Sequence, residues 1–343
     1  MAVNYSIHPI DKEIIRNLSR CEGEDVLDTL KRLFILYKSF VKRCIENADE
    51  QEKLILKHYK RKSYKNCRDL IKIYSEYMNG NLIECNKIVA RLFKRTANNL
   101  TADHDFPTQI IPKDFIGYRM RDNQKEEKWP PNELFHMSFE GREKIGSNRY
   151  SIPGYPCLYI GASIACCVAE ISFKKAFSVS ACKLNAPAKV FDFTFFPYEE
   201  GNDSLSFYKR LVSYPIKIAA SLPTMNDDES IKFRPEYIIP QYILHSVIRQ
   251  KNDMRKRPIG IMYTSVKALE KNVSPENISH YNNLIVPTMK IEKSGYCREL
   301  TKLITLTTPQ LLRREDIQSI DEWEQCIKQR EFYKVEPIKS ESL

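Results

Sequence analysis

Glycine is scarce in this chain of 343 residues, which contains only ten. Neither a Gly-x-Gly-x-x-Gly turn nor a P-loop occurs, so the two common glycine-rich phosphate cradles are excluded. The His-Glu-x-x-His of zinc proteases and the Gly-x-Ser-x-Gly elbow of serine hydrolases are missing too. None of the six histidines (His8, His58, His104, His136, His245, His280) has an arginine five positions before it. That removes the Arg-x-x-x-x-His motif by which one large group of helical bundles cleaves RNA. Ten cysteines are present without a single C-x-x-C, so the usual zinc and thioredoxin spacings are absent and reduced, packed thiols are expected. No apolar run approaches the ~18 residues of a membrane span, and the opening MAVNYSIHPIDKE lacks the apolar core of a secretory signal. A cytoplasmic protein without a bound metal or a membrane partner is the expectation.

What the chain does have is material for a core and an excess of positive charge. Hydrophobic residues make up 42%, which sets aside disorder as the default. Lys and Arg number 54 against 44 Asp and Glu, a net charge of +10 that favours anionic partners. The length suits two domains.

The N-terminal part reads as helix. Leu27, Leu30, Leu33, Phe34, Tyr37, Phe40, Val41 and Cys44 step by three and four. Leu70, Ile73, Tyr74 and Tyr77 repeat the pattern before Asn79-Gly80 stops it, and Leu82, Cys85, Val89 and Leu92 mark a further helix. The expectation is an antiparallel helical bundle over 1–100, a linker over 101–114 and a mixed α/β domain over 115–335, an α+β protein. Strands are expected at 115–120, 157–160, 190–195, 259–264, 284–286 and 300–307. Residues 197–236 read as an insertion with a helix around Pro215, residues 242–250 as a helix, and residues 309–329 as an amphipathic helical tail.

Within the second domain, polar residues gather at strand edges: Arg119 in GYRMR, Arg142 in FEGR, Arg149-Tyr150, Tyr159, Glu170, and Ser265 in GIMYTS. The stretch 149–170, RYSIPGYPCLYIGASIACCVAE, gathers most of them in a loop, a short strand, a turn and a helix. In these residues the chain resembles the RES domain family, and the subgroup that carries a HEPN-type helical bundle in front. The resemblance rests on YRMR at 118–121, LFHMSFEGR at 134–142, RYSIPGYPCLYIGAS at 149–163 with Glu170, PQYILHSVIR at 240–249, GIMYTS at 260–265 and NNLIVP at 282–287. It departs from the short form of the family at Tyr150, where tryptophan is usual.

The resemblance implies a fold related to the ADP-ribosyltransferases. It also implies an NAD-degrading toxin or defence effector that cleaves the nicotinamide–ribose bond with phosphate or water as acceptor. NAD+ is then substrate, inorganic phosphate a co-substrate, and no cofactor is needed. An antitoxin or regulatory protein and self-association through the helical face are the expected partners. The residue types suit that chemistry. Nicotinamide leaves as an already cationic ring, so stabilising an oxocarbenium-like ribose is the hard part. Glu170 would hold the ribose and offset its charge, Arg119 and Arg149 would fork onto the diphosphate, and Tyr159, then Tyr150, would stack on the ring. Ser265 would hydrogen-bond ribose or phosphate, while Arg142 would orient the site. Two other classes share these residues or leave them idle: an ADP-ribosyltransferase acting on a macromolecule, and a non-enzymatic module that binds a partner or RNA.

Overall fold

The computed structural model describes residues 6–19, 21, 23–95, 107–171, 176–196, 204–225, 230–249, 257–271 and 273–337. It is an α+β protein whose chain divides into two compact units. The first takes Met1–Thr108, Asp192–Ile243 and Leu269–Val273, and the second takes Gln109–Phe191, Leu244–Ala268 and Ser274–Leu343.

The first unit is helical. Helices α1 (His8–Arg16), α2 (Val26–Glu46), α3 (Glu50–Met78) and α4 (Leu82–Arg95) come first, and α6 (Ser204–Ala220) and the start of α7 (Ile238–Arg249) join them much later in the chain. Asp25 begins α2 by accepting from the Asp28 N–H, and Asp49 begins α3 in a reciprocal capping box with Glu52. The apolar stripe of α2 is buried as its period requires, from Leu30 and Leu33 to Phe40 and Val41. Against α2 and α3 lies α6; Tyr37 donates to the Leu211 carbonyl and Asn66 to that of Val212. The segment that reads as an insertion of the second domain is therefore part of the helical unit. Its stretches 197–203 and 226–229 lie outside the described residues. Asp11, fully buried, accepts from Tyr214 Oη at 2.6 Å, Lys217 Nζ at 2.7 Å and the Phe196 N–H at 2.9 Å.

The second unit is built on a ten-stranded sheet in the order β1-β5-β6-β7-β3-β2-β4-β8-β10, with β9 on β4. The strands are β1 (Thr108–Ile111), β2 (Ile116–Asp122), β3 (Cys157–Gly161), β4 (Ala176–Leu184), β5 (Ala188–Phe193), β6 (Gly260–Thr264), β7 (Asn282–Pro287), β8 (Ile304–Thr307), β9 (Gln310–Arg313) and β10 (Phe332–Lys334). Helices α5 (Ile164–Glu170), α8 (Val266–Glu270), α9 (Arg298–Leu303) and α10 (Ile320–Lys328) stand between them. One face of the sheet packs Leu158, Ile160, Leu284, Val286, Cys182 and Leu306 with Phe135 and Phe139. The other packs Tyr118, Met120, Val179 and Ala181 with Ile164 and Cys167 of α5 and Ile327 of α10.

The sheet is divided in the middle. Strand β2 pairs with β4 over seven positions, from Ile116↔Lys183 to Asp122↔Phe177, and β3 pairs with β7 over five. Between β2 and β3 one pair joins the halves, Tyr118↔Gly161. Gly117 stands beside that junction, where a Cβ would lie 2.4 Å from Ile160 Cγ2 and 2.8 Å from the Gly161 carbonyl oxygen. Gly117 thus lets the two backbones touch, while Gly161 makes room for the start of α5, where a Cβ would lie 2.8 Å from Cys167 Sγ. Beyond the junction, residues 119–122 have no ladder partner on β3, so the strands part and leave a wedge.

Three further expectations need correction. The linker at 101–114 contains β1, which joins the edge of the sheet; its residues 101–106 lie outside the described residues. Residues 300–307 are half helix, α9, before becoming β8. The tail at 309–329 opens with β9, because Ser178 and Val179 of β4 offer Leu311 and Gln310 a ladder, and that pairing outweighs a helical period. Strand β4 carries no alternating pattern to announce it, since eight of its nine residues are buried.

Candidate functional site

The wedge is flanked by the residues singled out in the sequence. Directly opposed residues in an antiparallel sheet share a face. The rows Gly161↔Asn283↔Tyr263 and Tyr159↔Ile285↔Ile261 therefore put Tyr159, Asn283 and Tyr263 on one side of the β3–β7–β6 half. Helix α5 delivers Glu170 to that side. It starts where Ser163 Oγ accepts from the Cys166 N–H and donates to the His280 carbonyl, and where Glu324 accepts from the Ile164 N–H at 2.6 Å. Its seven residues carry the chain to Glu170, whose Oε1 accepts from Asn283 Nδ2 at 2.9 Å. Lys267 Nζ reaches the Glu170 carbonyl at 3.4 Å.

Asn283 is the residue that sequence reasoning missed. It is buried, and its own Oδ1 faces the Cys166 thiol at 3.4 Å, so its amide is held with the nitrogen toward Glu170. The string NNLIVP marked the place without saying which asparagine mattered. Tyr263, from GIMYTS, was missed as well. Its ring lies 4.6 Å from that of Tyr150 at a tilt of 41°. Burial first, and then the nearby Glu170, push the Tyr263 phenol far above its usual range. Tyr150 is raised by burial too and stays a neutral phenol. Its carbonyl accepts from Tyr159 Oη at 2.8 Å, which fixes the Tyr159 ring.

Arg119 lies half-buried on the β2 side of the wedge, its guanidinium carbon 5.9 Å from the Tyr159 ring centre. Its Nε is buried without a hydrogen-bond partner, and among the described residues the guanidinium forms no ion pair with a carboxylate. Desolvation lowers its pKa accordingly. Arg149 lies close enough to ease the ionisation of both Tyr150 and Tyr263.

Two predicted residues hold other positions. Ser265 is fully buried, and its Oγ accepts from the Ala268 N–H at 3.2 Å, capping α8. Arg142 is exposed, and its Nε donates at 2.8 Å to the carbonyl of Gly154. Gly154 has φ +75°, which the Pro153-Gly154 turn requires. Arg142 thus secures the loop that carries Arg149 and Tyr150.

The adjacent cysteines do not offer a thiolate. Burial pushes Cys167 up to about 12 and Cys166 well above its ordinary value, with Glu170 acting in the same sense. Glu292, Cys297 and Glu299 bring their ligand atoms within 4.8 Å of one another. Their carboxylates are already engaged by Arg298 and Lys290. The arrangement at the wedge therefore offers one oriented carboxylate, a wall of three tyrosines and a guanidinium without a carboxylate partner among the described residues. That set can stabilise a cationic centre beside an anionic group.

The fold and site define an α+β protein with a carboxylate–tyrosine–arginine cleft in a divided sheet. The chain is 29% identical over 210 residues to "Putative toxin YopC" of Bacillus subtilis (strain 168), across 56% of this chain and 45% of that protein. It thus spans less than half the length of that relative. No family model matches the chain, and no solved structure matches it. Among the described residues, no helix is long and apolar enough to cross a membrane.

Proposed function

We propose that this protein is an NAD-degrading enzyme that cleaves the nicotinamide–ribose bond and arrests growth as a toxin. The observation that carries the reading is Glu170 held by Asn283 beside the tyrosine wall, opposite the unpaired Arg119. Similarity to a protein named a toxin and resemblance of residues 115–310 to the RES domain, with its relation to the ADP-ribosyltransferase fold, support it.

In this reading the nicotinamide ring stacks on Tyr159 and the diphosphate meets Arg119 and Arg149. The glycosidic C–N bond breaks with its electron pair passing to the ring nitrogen, so nicotinamide departs neutral. The positive charge moves onto the ribose, where the Glu170 carboxylate stabilises it. Water then bonds to the anomeric carbon through its oxygen and releases a proton to solvent, or an anionic oxygen of inorganic phosphate bonds there with no proton lost. Asn283 keeps Glu170 aimed, its amide N–H holding one oxygen of the carboxylate in place. Ser265 serves by fixing the β6–α8 corner.

Phosphorus NMR of NAD+ incubated with the purified protein, with and without inorganic phosphate, tests the reading. ADP-ribose 1''-phosphate marks phosphorolysis and free ADP-ribose marks hydrolysis. Label retained on a macromolecule would instead mark an ADP-ribosyltransferase. No loss of NAD+, or a Glu170→Gln variant as fast as wild type, refutes the mechanism.

A further inference from the structure

Arg121, the second arginine of the YRMR string, has no part in the site so far. Alternate residues of a strand leave the same face about 7 Å apart, so Arg119 and Arg121 stand side by side on β2, in the stretch that has parted from β3. Both are half-buried. Among the described residues neither pairs with a carboxylate. Arg121 gives one hydrogen bond, to the Phe135 carbonyl at 3.3 Å, and its remaining donors have no partner among those residues. Glu133 is near enough to favour its charge but forms no ion pair. Burial, and then repulsion from Arg119, push Arg121 down to about 10.

Two desolvated cations on one strand face destabilise the protein unless an anion joins them. The register partner of Arg119 is Ser180, whose hydroxyl is also buried without a partner. His136, close enough to feel the Arg121 charge, is kept neutral by burial and adds no charge of its own. Among the described residues no carboxylate forms an ion pair in this corner, although carboxylates pair readily elsewhere.

We infer that Arg121 joins Arg119 and Arg149 at the diphosphate, Arg119 and Arg121 forming a two-guanidinium clamp with one fork on each phosphate, so that the site selects dinucleotides over mononucleotides. The clamp rests on the reading of the wedge as an NAD site, which it deepens: Arg121 decides how much of the substrate must be present. Each fork suits one phosphate group bidentately, and a strand spacing of about 7 Å lets two forks straddle a diphosphate.

The test uses inorganic pyrophosphate and inorganic phosphate as probes in titration calorimetry, without catalysis. Wild type is expected to bind pyrophosphate at least ten-fold more tightly than phosphate. Arg121→Met is expected to weaken pyrophosphate about ten-fold, the loss of one charge-assisted contact of about 1.4 kcal/mol. An unchanged pyrophosphate affinity in that variant overturns the clamp. An equal weakening toward both probes also overturns it, since the site would then belong to an acceptor phosphate. Should Arg121→Met not fold, phenylglyoxal labelling of wild type read by mass spectrometry replaces it. Protection of Arg121 by pyrophosphate supports the clamp, and unchanged labelling overturns it. Pyrophosphate binding through Arg121 in a protein that leaves NAD+ intact would sink the NAD reading alone. NAD+ cleavage with a pyrophosphate affinity indifferent to Arg121 would sink the clamp alone.

Discussion

Acidification should weaken the second unit through one histidine. His136 is 1% exposed, with Nδ1 2.7 Å from the Met137 carbonyl and Nε2 accepting from the Cys297 N–H at 3.0 Å. A backbone N–H can point only at a lone pair, so the proton sits on Nδ1 and the ring is neutral. Protonating Nε2 would break the Cys297 bond and place a cation near Arg121. Burial, reinforced by Arg121, therefore depresses the pKa from 6.5 to about 4. The folded state then binds fewer protons than the unfolded state between those values. Stability is full above the unfolded pKa and falls as the pH drops through the window toward 4. At about 1.4 kcal/mol per pH unit, lowering the pH from about 7 to about 5 costs roughly 2 kcal/mol, and the whole window about 3 kcal/mol. The chain's two tryptophans, Trp129 and Trp323, both lie in the second unit, so urea unfolding followed by their fluorescence reports this unit. His136→Phe should start about 1–3 kcal/mol less stable, because the Cys297 N–H loses its acceptor. It should also lose the His136 component of the acid slope. A wild-type slope no steeper than that of the variant, or a His136 ring resonance titrating near 6.5, refutes the reasoning.

Other expectations follow from named contacts. Asn283→Ala frees the Glu170 carboxylate and should lower kcat for NAD+ cleavage about ten- to hundred-fold, the worth of one hydrogen bond to a charged group; steady-state kinetics decide. Asp11→Ala leaves Lys217 buried against the Phe195 and Tyr214 rings at 4.1 and 4.9 Å without its counter-ion. It should cost about 3–5 kcal/mol by circular dichroism, while Asp11→Leu combined with Lys217→Met should recover most of that. Ser265→Ala removes the cap of α8 and should cost about 1 kcal/mol in urea unfolding.

Much of the architecture was legible because local periodicity wrote it. The stripe on α2 and the Asn79-Gly80 stop after α3 follow from helical period and turn chemistry, and they need no tertiary partner to be read. The same holds for the cluster at 149–170, where turn, strand and capped helix succeed one another within a short stretch. Strand β4 was not legible, since a strand buried on both faces alternates nothing, and β9 was masked by residues that suit a helix equally well.

The sequence by itself determined which side chains were available for chemistry: one glutamate, a set of tyrosines, several arginines, and no glycine cradle. Tertiary structure decided their partners. Asn283 comes to Glu170 from 113 positions away because β7 lies beside β3, and sequence distance carries no trace of that pairing. Ser265 turned inward to cap a helix for the same kind of reason, as a buried N–H claimed its hydroxyl. The wedge, too, exists only in three dimensions. It opens where Gly117 lets two strands meet once before they part, leaving Arg119 and Arg121 desolvated without a counter-charge among the described residues.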